Sequence, residues 1–448
     1  MTGIVERPRR RGWSRPTAWW ESALIVAGLV GHVFLVAHEA RQDGWERYAA
    51  LSRLLETGEL PDTKYSMVMP IFAAPFWLLG KVVQDPRWWT ERFNTIVLAL
   101  GMLAIWLLLR RRVPGRQLRV FFLLLVAGSM FGNHLRFFYG EVFTAVLVAV
   151  GIVATVVGPR LVGWLTTVVG LVNTPASIAG LVTMVGERVL RTRALRYIAV
   201  IMVASAGVLV VNYLQRGRAL DFGYVEDKGM RTIMPYSGLP NWSYPIFFGL
   251  FGLLFSAGKG LIWFAPGLFL PVRKGLRALG DDVRVIYRQW LAFLLGLLVV
   301  YAMWWSWQGG WFWGPRFVLF ASIPASFAIA LVWARREETG LGLNLFATLA
   351  LILSIWVGIN GAVYGDRALF KTCLGNYWYE TPLCYHTPEF SVLWYPFVQS
   401  SPVAADQRIF FAYSLVVGAY LLIPMLATVV RQLAAHARNA GWLSRYDW

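Results

Sequence analysis

The chain has 448 residues, of which 57% are hydrophobic and 15% charged, with a mean hydropathy of +0.54. This balance excludes an ordinary soluble protein, which needs a larger charged surface to stay dissolved. The net charge of +18 invites a nucleic-acid reading, which the placement of the charges removes.

Apolar runs long enough to cross a bilayer as helices recur from end to end, whereas barrel strands would alternate over short segments. The predicted class is therefore an all-α polytopic membrane protein. Spans are expected near 18–38, 94–109, 118–133, 142–158, 161–185, 197–214, 258–272, 290–305, 317–334, 343–363 and 410–430. The stretches 161–185 and 245–272 are long enough to be broken or doubled, so the expected count is 11–13 helices. With both termini cytoplasmic, the internal loops hold 25 Lys and Arg against seven carboxylates, and the external segments hold 17 against 16. The basic excess then lies on the cytoplasmic face, as orientation signals and lipid-headgroup partners rather than a nucleic-acid footprint. The first span, with a basic front and no small-residue cleavage site, reads as a retained anchor.

The first external loop, 38–93, is too long and too charged for a connector. Asp43-Gly44-Trp45-Glu46 reads as a capping box with Asp43 as the N-cap, and Gly58 as the residue that ends the helix. The amphipathic helix between them is expected to lie on the membrane surface, with Trp45, Tyr48, Ser52 and Leu55 on one face. "YSMVMPIFAAPFWLLGKVV" follows, apolar but broken by Pro70 and Pro75. A surface or re-entrant helix there keeps "RRRVPGR" inside.

Three further external stretches gather polar residues: "NHLRFFYGE" at 133–141, the segment 212–260, and "WWSWQGGWFWGPR" at 304–316. Glu141 stands at the mouth of an inward helix, where the helix N-terminus or Arg136 would favour its charge. Asn173-Thr174-Pro175 is the clear polar break within a span. The Trp-rich stretch fits either an interfacial aromatic belt or indole faces for a sugar ring. Arg316 follows Gly314-Pro315 where a helix enters the membrane, and an Arg there can hold a phosphate with two hydrogen bonds. Lys259 in "SAGKG" is a second such cation, with headgroup snorkelling as its other reading. Cys373 and Cys384 share the last external loop, where a structural disulfide is expected in an oxidising compartment. The cytoplasmic loops carry no nucleotide-binding fingerprint, and no pair of residues shows metal-site spacing, so any chemistry is expected outside.

At this point four patches resemble the GT-C superfamily of integral-membrane glycosyltransferases, in particular bacterial members related to protein mannosyltransferases and to the lipid A aminoarabinose transferase. They are "DGWERYAALSRLLETGELPDTKYSMVMP", "FYGEVFTAVLVAVG", "VNYLQRGRALDFGY" with "GLLFSAGKGLIWFAPGL", and "WQGGWFWGPRFVLFASIPA". The resemblance implies a catalytic module over 1–335 and further membrane helices over 336–448, which carry the external loop 364–409. It implies a bacterial inner-membrane enzyme with its active site outside. Such an enzyme moves a sugar from a polyprenyl-phosphate carrier to a lipid or glycan acceptor, with inversion at the anomeric carbon.

By the same resemblance Asp43 is the general base and Glu141 the second acid, assisting the acceptor or a metal. Lys64, Arg316 and Lys259 are carrier-phosphate candidates, and Arg47, Tyr139, Trp307 and Trp311 are sugar or acceptor contacts. The resemblance leaves open a divalent cation, Mg or Mn, and implies no other cofactor. Two departures stand out: no acidic residue adjoins Asp43, and no large soluble domain follows the membrane part. Two other classes stay open, a flippase or transporter of a lipid-linked glycan and a non-catalytic scaffold of the same fold. A transporter predicts internal repeats and polar residues deep in several helices.

Overall fold

The computed structural model describes residues 15–83, 85–224, 228–229, 231, 235–310, 312–365, 385–399 and 403–439. Their regular elements are all helices, with two isolated bridges, Glu39 to Phe137 and Lys228 to Pro240, as the extended pairing among them. Eight helices in this set are long and apolar enough to cross a membrane, and three shorter apolar ones, Val68–Val83, Arg160–Asn173 and Ile246–Phe255, stand beside them. The all-α polytopic class is as expected. Two expected spans are not full-length helices: 118–133 falls on the 13-residue Gly115–Ala127, and 258–272 on the four-residue Leu261–Phe264 and a 3-10 turn at Pro266–Phe269.

Helix α1 (Arg15–Phe34) is followed by the first long loop, which holds α2 (Asp43–Thr57), α3 (Val68–Val83) and α4 (Pro86–Glu91). Helix α2 ends as predicted: Gly58 is left-handed and its N–H bonds the Leu54 carbonyl at 3.0 Å. Its start departs from the prediction. Gln42, at φ 48°, holds the cap position with no side-chain cap, so Asp43 is the first helical residue and not the N-cap. Its buried residues are Gly44, Arg47, Ala50 and Leu51, while Trp45 is exposed. Gly44 permits this seating, because a Cβ there would come within 3.3 Å of the Tyr139 ring.

Helix α3 has 16 residues with Pro75 inside, about 24 Å of rise. It turns back on α4 where Gly80 meets Pro86. Helices α5 (Phe93–Leu109), α6 (Gly115–Ala127), α7 (Phe131–His134) and α8 (Gly140–Val157) follow. The expected span 161–185 is broken, into α9 (Arg160–Asn173), a 3-10 turn Pro175–Ser177 and α10 (Ile178–Thr192). Helices α8 and α9 approach through Gly151 and Gly163, where a Cβ at Gly163 would lie 2.8 Å from the Gly151 carbonyl. Small residues at such crossings are how membrane helices gain packing without a hydrophobic drive between them.

Helix α11 (Ile198–Arg216) leads through a long connection to α12 (Ile246–Phe255) and α13 (Leu261–Phe264). Next come α14 (Arg273–Leu279), the long α15 (Asp281–Met303), and a 3-10 turn Arg316–Ala321 that feeds α16 (Ser322–Ala334), the most enclosed span. Helix α17 (Leu341–Ile359) and the closing α18 (Ala405–Asn439) pack together. At the end of α1 away from the first long loop, the fully buried Glu21 accepts from Arg116 at 3.0 Å, Arg119 at 2.6 Å and the Tyr420 hydroxyl, which ties α1, α6 and α18. A carboxylate enclosed to that degree persists because three donors satisfy it. The predicted cysteine pair, Cys373 and Cys384, lies outside the described residues.

Candidate active site

Three distant segments meet at one point. Residues 38–44 run beside 136–139, where the Glu39 N–H bonds the Arg136 carbonyl at 3.0 Å and places the N-terminus of α2 against Tyr139. Helix α8 starts one residue later and presents Glu141 in its first turn. The loop between α15 and α16 brings Arg316 between them. Its Nη1 lies 2.6 Å from Asp43 Oδ2 and 3.5 Å from Glu141 Oε1. The side chains of Asp43, Glu141 and Arg316 are 17, 14 and 10% exposed. The Asp43 carboxylate thus faces Arg316 and does not cap its helix.

Electrostatics set the state of the pair. Burial alone would raise the Asp43 carboxyl, but the Arg316 guanidinium, a hydrogen bond from Tyr65 and the charge of Arg47 outweigh it and hold it below its usual value. Tyr65 is pushed up by burial and by the Asp43 charge, so its hydroxyl stays a donor. Tyr224 is pushed up to about 12, chiefly by burial. Arg316 is cradled by aromatic rings, 3.8 Å from the Phe312 centroid, 5.0 Å from Phe317 and 5.8 Å from Tyr139. Such faces stabilise a desolvated cation.

Other predicted residues fall nearby. Arg47 donates to the Ser66 carbonyl at 3.1 Å and lies 4.7 Å from the Tyr65 ring. Lys64 lies 5.3 Å from the Tyr65 ring and 6.0 Å from Tyr224. Tyr139 is buried, stacked on Phe137 at 4.9 Å. The buried Nε atoms of Arg47 and Arg316 have no hydrogen-bond partner among the described residues. Beside Glu141 and Arg316 opens a narrow cleft that Thr174, Ser177, Tyr301 and Phe317 help to line.

Two predicted residues are placed elsewhere. Lys259 is 1% exposed and donates to the carbonyls of Gly310 at 3.0 Å, Phe312, and Gly314 at 3.0 Å. Its ammonium therefore serves the 310–314 loop, not a phosphate and not a headgroup. Trp307 is buried against Gly252, where a Cβ would come within 2.5 Å of its ring, and packs on Tyr244, Tyr385 and His386. No face of it is left for a sugar. Trp311 lies outside the described residues.

The sequence reading missed Tyr65, Tyr224, Tyr301 and the role of Asn173. Asn173 accepts from the Met69 N–H at 3.1 Å and donates to the Gly140 carbonyl at 3.0 Å and to Thr144 Oγ1 at 3.1 Å. It thus joins the first loop, the start of α8 and the end of α9. Its signal was the Asn173-Thr174-Pro175 break. Gln215 does a similar service, bonding the Met67 N–H and the Tyr65 carbonyl. Among the described residues no group of three His, Cys, Asp or Glu side chains is placed to hold a metal ion.

No family model and no curated protein matches the chain. Solved structures do. ArnT from Cupriavidus metallidurans bound to undecaprenyl phosphate is 14% identical, with 94% of this chain and 79% of that chain covered and a TM-score of 0.51. The same protein in the apo state is 15% identical over 93% and 78% of the two chains, with a TM-score of 0.49. The fold of this chain is therefore GT-C-like, as the sequence patches implied.

Proposed function

We propose that the chain is a membrane glycosyltransferase that moves a sugar from a polyprenyl-phosphate carrier to a hydroxyl of a lipid or glycan acceptor. The reaction takes place at the external face of a bacterial inner membrane and inverts the anomeric carbon. The observation that carries this reading is the convergence of Asp43, Glu141 and Arg316 on one guanidinium nitrogen. A GT-C-like fold supports it, and so does the undecaprenyl phosphate held by the similar ArnT structure.

In this reading the acceptor oxygen forms a bond to the anomeric carbon as the bond from that carbon to the phosphate oxygen breaks. The acceptor proton passes to Asp43 Oδ2, and the carrier leaves as polyprenyl phosphate. A phosphate leaving group needs cations rather than an acid, and Arg316 and Lys64 supply them. One carboxylate is then enough for the proton. Asp43 is held ionised by Arg316 in the absence of substrate. When Arg316 turns to the phosphate, burial is left as the dominant influence on Asp43 and makes it a stronger base. Glu141 keeps the guanidinium between the two acids and faces the acceptor side of the cleft.

The test uses purified protein and a panel of labelled polyprenyl-phosphate pentoses and hexoses, with release of polyprenyl phosphate as the readout. Asp43→Asn is expected to lose roughly a hundredfold or more in rate. A folded Asn variant that turns over like wild type overturns the mechanism. Passage of the glycan across a liposome without carrier release would move the assignment to a transporter.

A further inference from the structure

We infer that Lys259 is a positioning residue for Arg316, acting through the loop 310–314; this rests on the reading of Arg316 as a carrier-phosphate contact. Three carbonyl oxygens of one short loop converge on its Nζ, those of Gly310, Phe312 and Gly314. Each of these loop residues bears on the Arg316 end of the site. Phe312 offers its carbonyl to Lys259 and lays its ring 3.8 Å from the Arg316 guanidinium carbon. The Gly314 carbonyl accepts from both Lys259 Nζ at 3.0 Å and the Arg316 N–H at 3.1 Å. Gly309, beside Gly310, leaves room for the arginine stem, since a Cβ there would lie 3.0 Å from Arg316 Cγ.

The backbone of this loop needs anchors. Gly309, Gly310 and Gly314 sit at φ 72, 72 and 62°, left-handed values that glycine visits freely and leaves as freely. One anchor lies on the far side, where Trp313 Nε1 donates to Asn360 Oδ1 at 2.7 Å. Lys259 supplies the other. A buried ammonium is expensive to desolvate, and this one sits 1% exposed where an apolar side chain would take from three carbonyls the donor they share. The arrangement converts a flexible Gly-rich loop into a fixed platform for a guanidinium that must meet Asp43, Glu141 and a phosphate in turn. Lys259 itself touches none of the reacting groups.

The experiment measures binding of undecaprenyl phosphate to wild type, Lys259→Met, Arg316→Ala and the double variant in nanodiscs. It is paired with hydrogen–deuterium exchange over 309–318. Lys259→Met is expected to weaken binding about tenfold and to speed exchange in the loop. In the Arg316→Ala background it should change binding by less than about twofold, because coupled residues are non-additive. Equal losses in both backgrounds, or binding like wild type from the folded variant, overturn the inference. Should Lys259→Met fail to fold, Lys259→Ala purified in methylammonium replaces it. Methylammonium should then restore the binding that tetramethylammonium, with no N–H, does not; equal effects of the two ions refute the carbonyl cage. If wild type itself ignores undecaprenyl phosphate, the proposed function fails, while the exchange data still decide the role of Lys259.

Discussion

Replacing Arg316 by Gln removes the positive charge from between two enclosed carboxylates. Asp43 Oδ2 and Glu141 Oε1 both contact the same nitrogen, so they are no more than about 6 Å apart. At an effective dielectric near 20, two like charges at about 6 Å repel by roughly 3 kcal/mol, enough to delay the ionisation of one carboxyl by about two pH units. Removing one member of a buried ion pair typically destabilises by about 3–5 kcal/mol, and the repulsion is of that order. The sign with pH then separates the variant from wild type. In wild type the Asp43 carboxyl is depressed, so its contribution is complete above the unfolded value of about 3.9 and is lost as pH falls through the lower folded value. In Arg316→Gln burial and repulsion raise one carboxyl above its unfolded value. The variant's deficit is then complete near neutral pH and shrinks as pH falls through roughly 6 to 4. Thermal unfolding of the detergent-solubilised proteins across that range reads it out. The double variant Arg316→Gln with Asp43→Asn should be more stable than Arg316→Gln alone at about pH 7. Parallel pH profiles for wild type and Arg316→Gln, or additive losses in the double variant, would refute the reasoning.

Tyr65→Phe removes a donor to Asp43 and so raises its carboxyl; the acid limb of the rate profile should move to higher pH by about half a unit to one unit, checked by turnover against pH. Asn173→Ala leaves the Met69 N–H and the Gly140 carbonyl without their buried partner. A loss of about 2–3 kcal/mol is expected, with faster amide exchange at Met69. Trp307→Ala opens a cavity against Gly252 and Tyr385 and should lower the midpoint of thermal unfolding. The turnover of the molecules that remain folded should stay unchanged, because the indole faces no substrate.

What could be read in the sequence, and what could not, divides along a physical line. Apolar length fixes a membrane span almost by itself, so the all-α architecture and the break at Thr174-Pro175 were visible. Asp43, Glu141 and Arg316 were visible because a charge at a membrane boundary needs a reason, and each stood at the start of a helix or at a kink. Their contact was not, since nothing in the order of three segments says that one nitrogen serves both acids. The capping box shows why. Asp-x-x-Glu states that a carboxylate has a local use for the orphan N–H groups of the first turn, worth about 1 kcal/mol. An arginine arriving from a loop far along the chain offers a charge-assisted bond that is stronger, and Asp43 takes it. Lys259 failed in the opposite direction. A lysine beside glycines at a span boundary reads as a snorkelling headgroup contact, because a backbone carbonyl has no letter in the sequence. Only a folded loop can bring three of them to one ammonium.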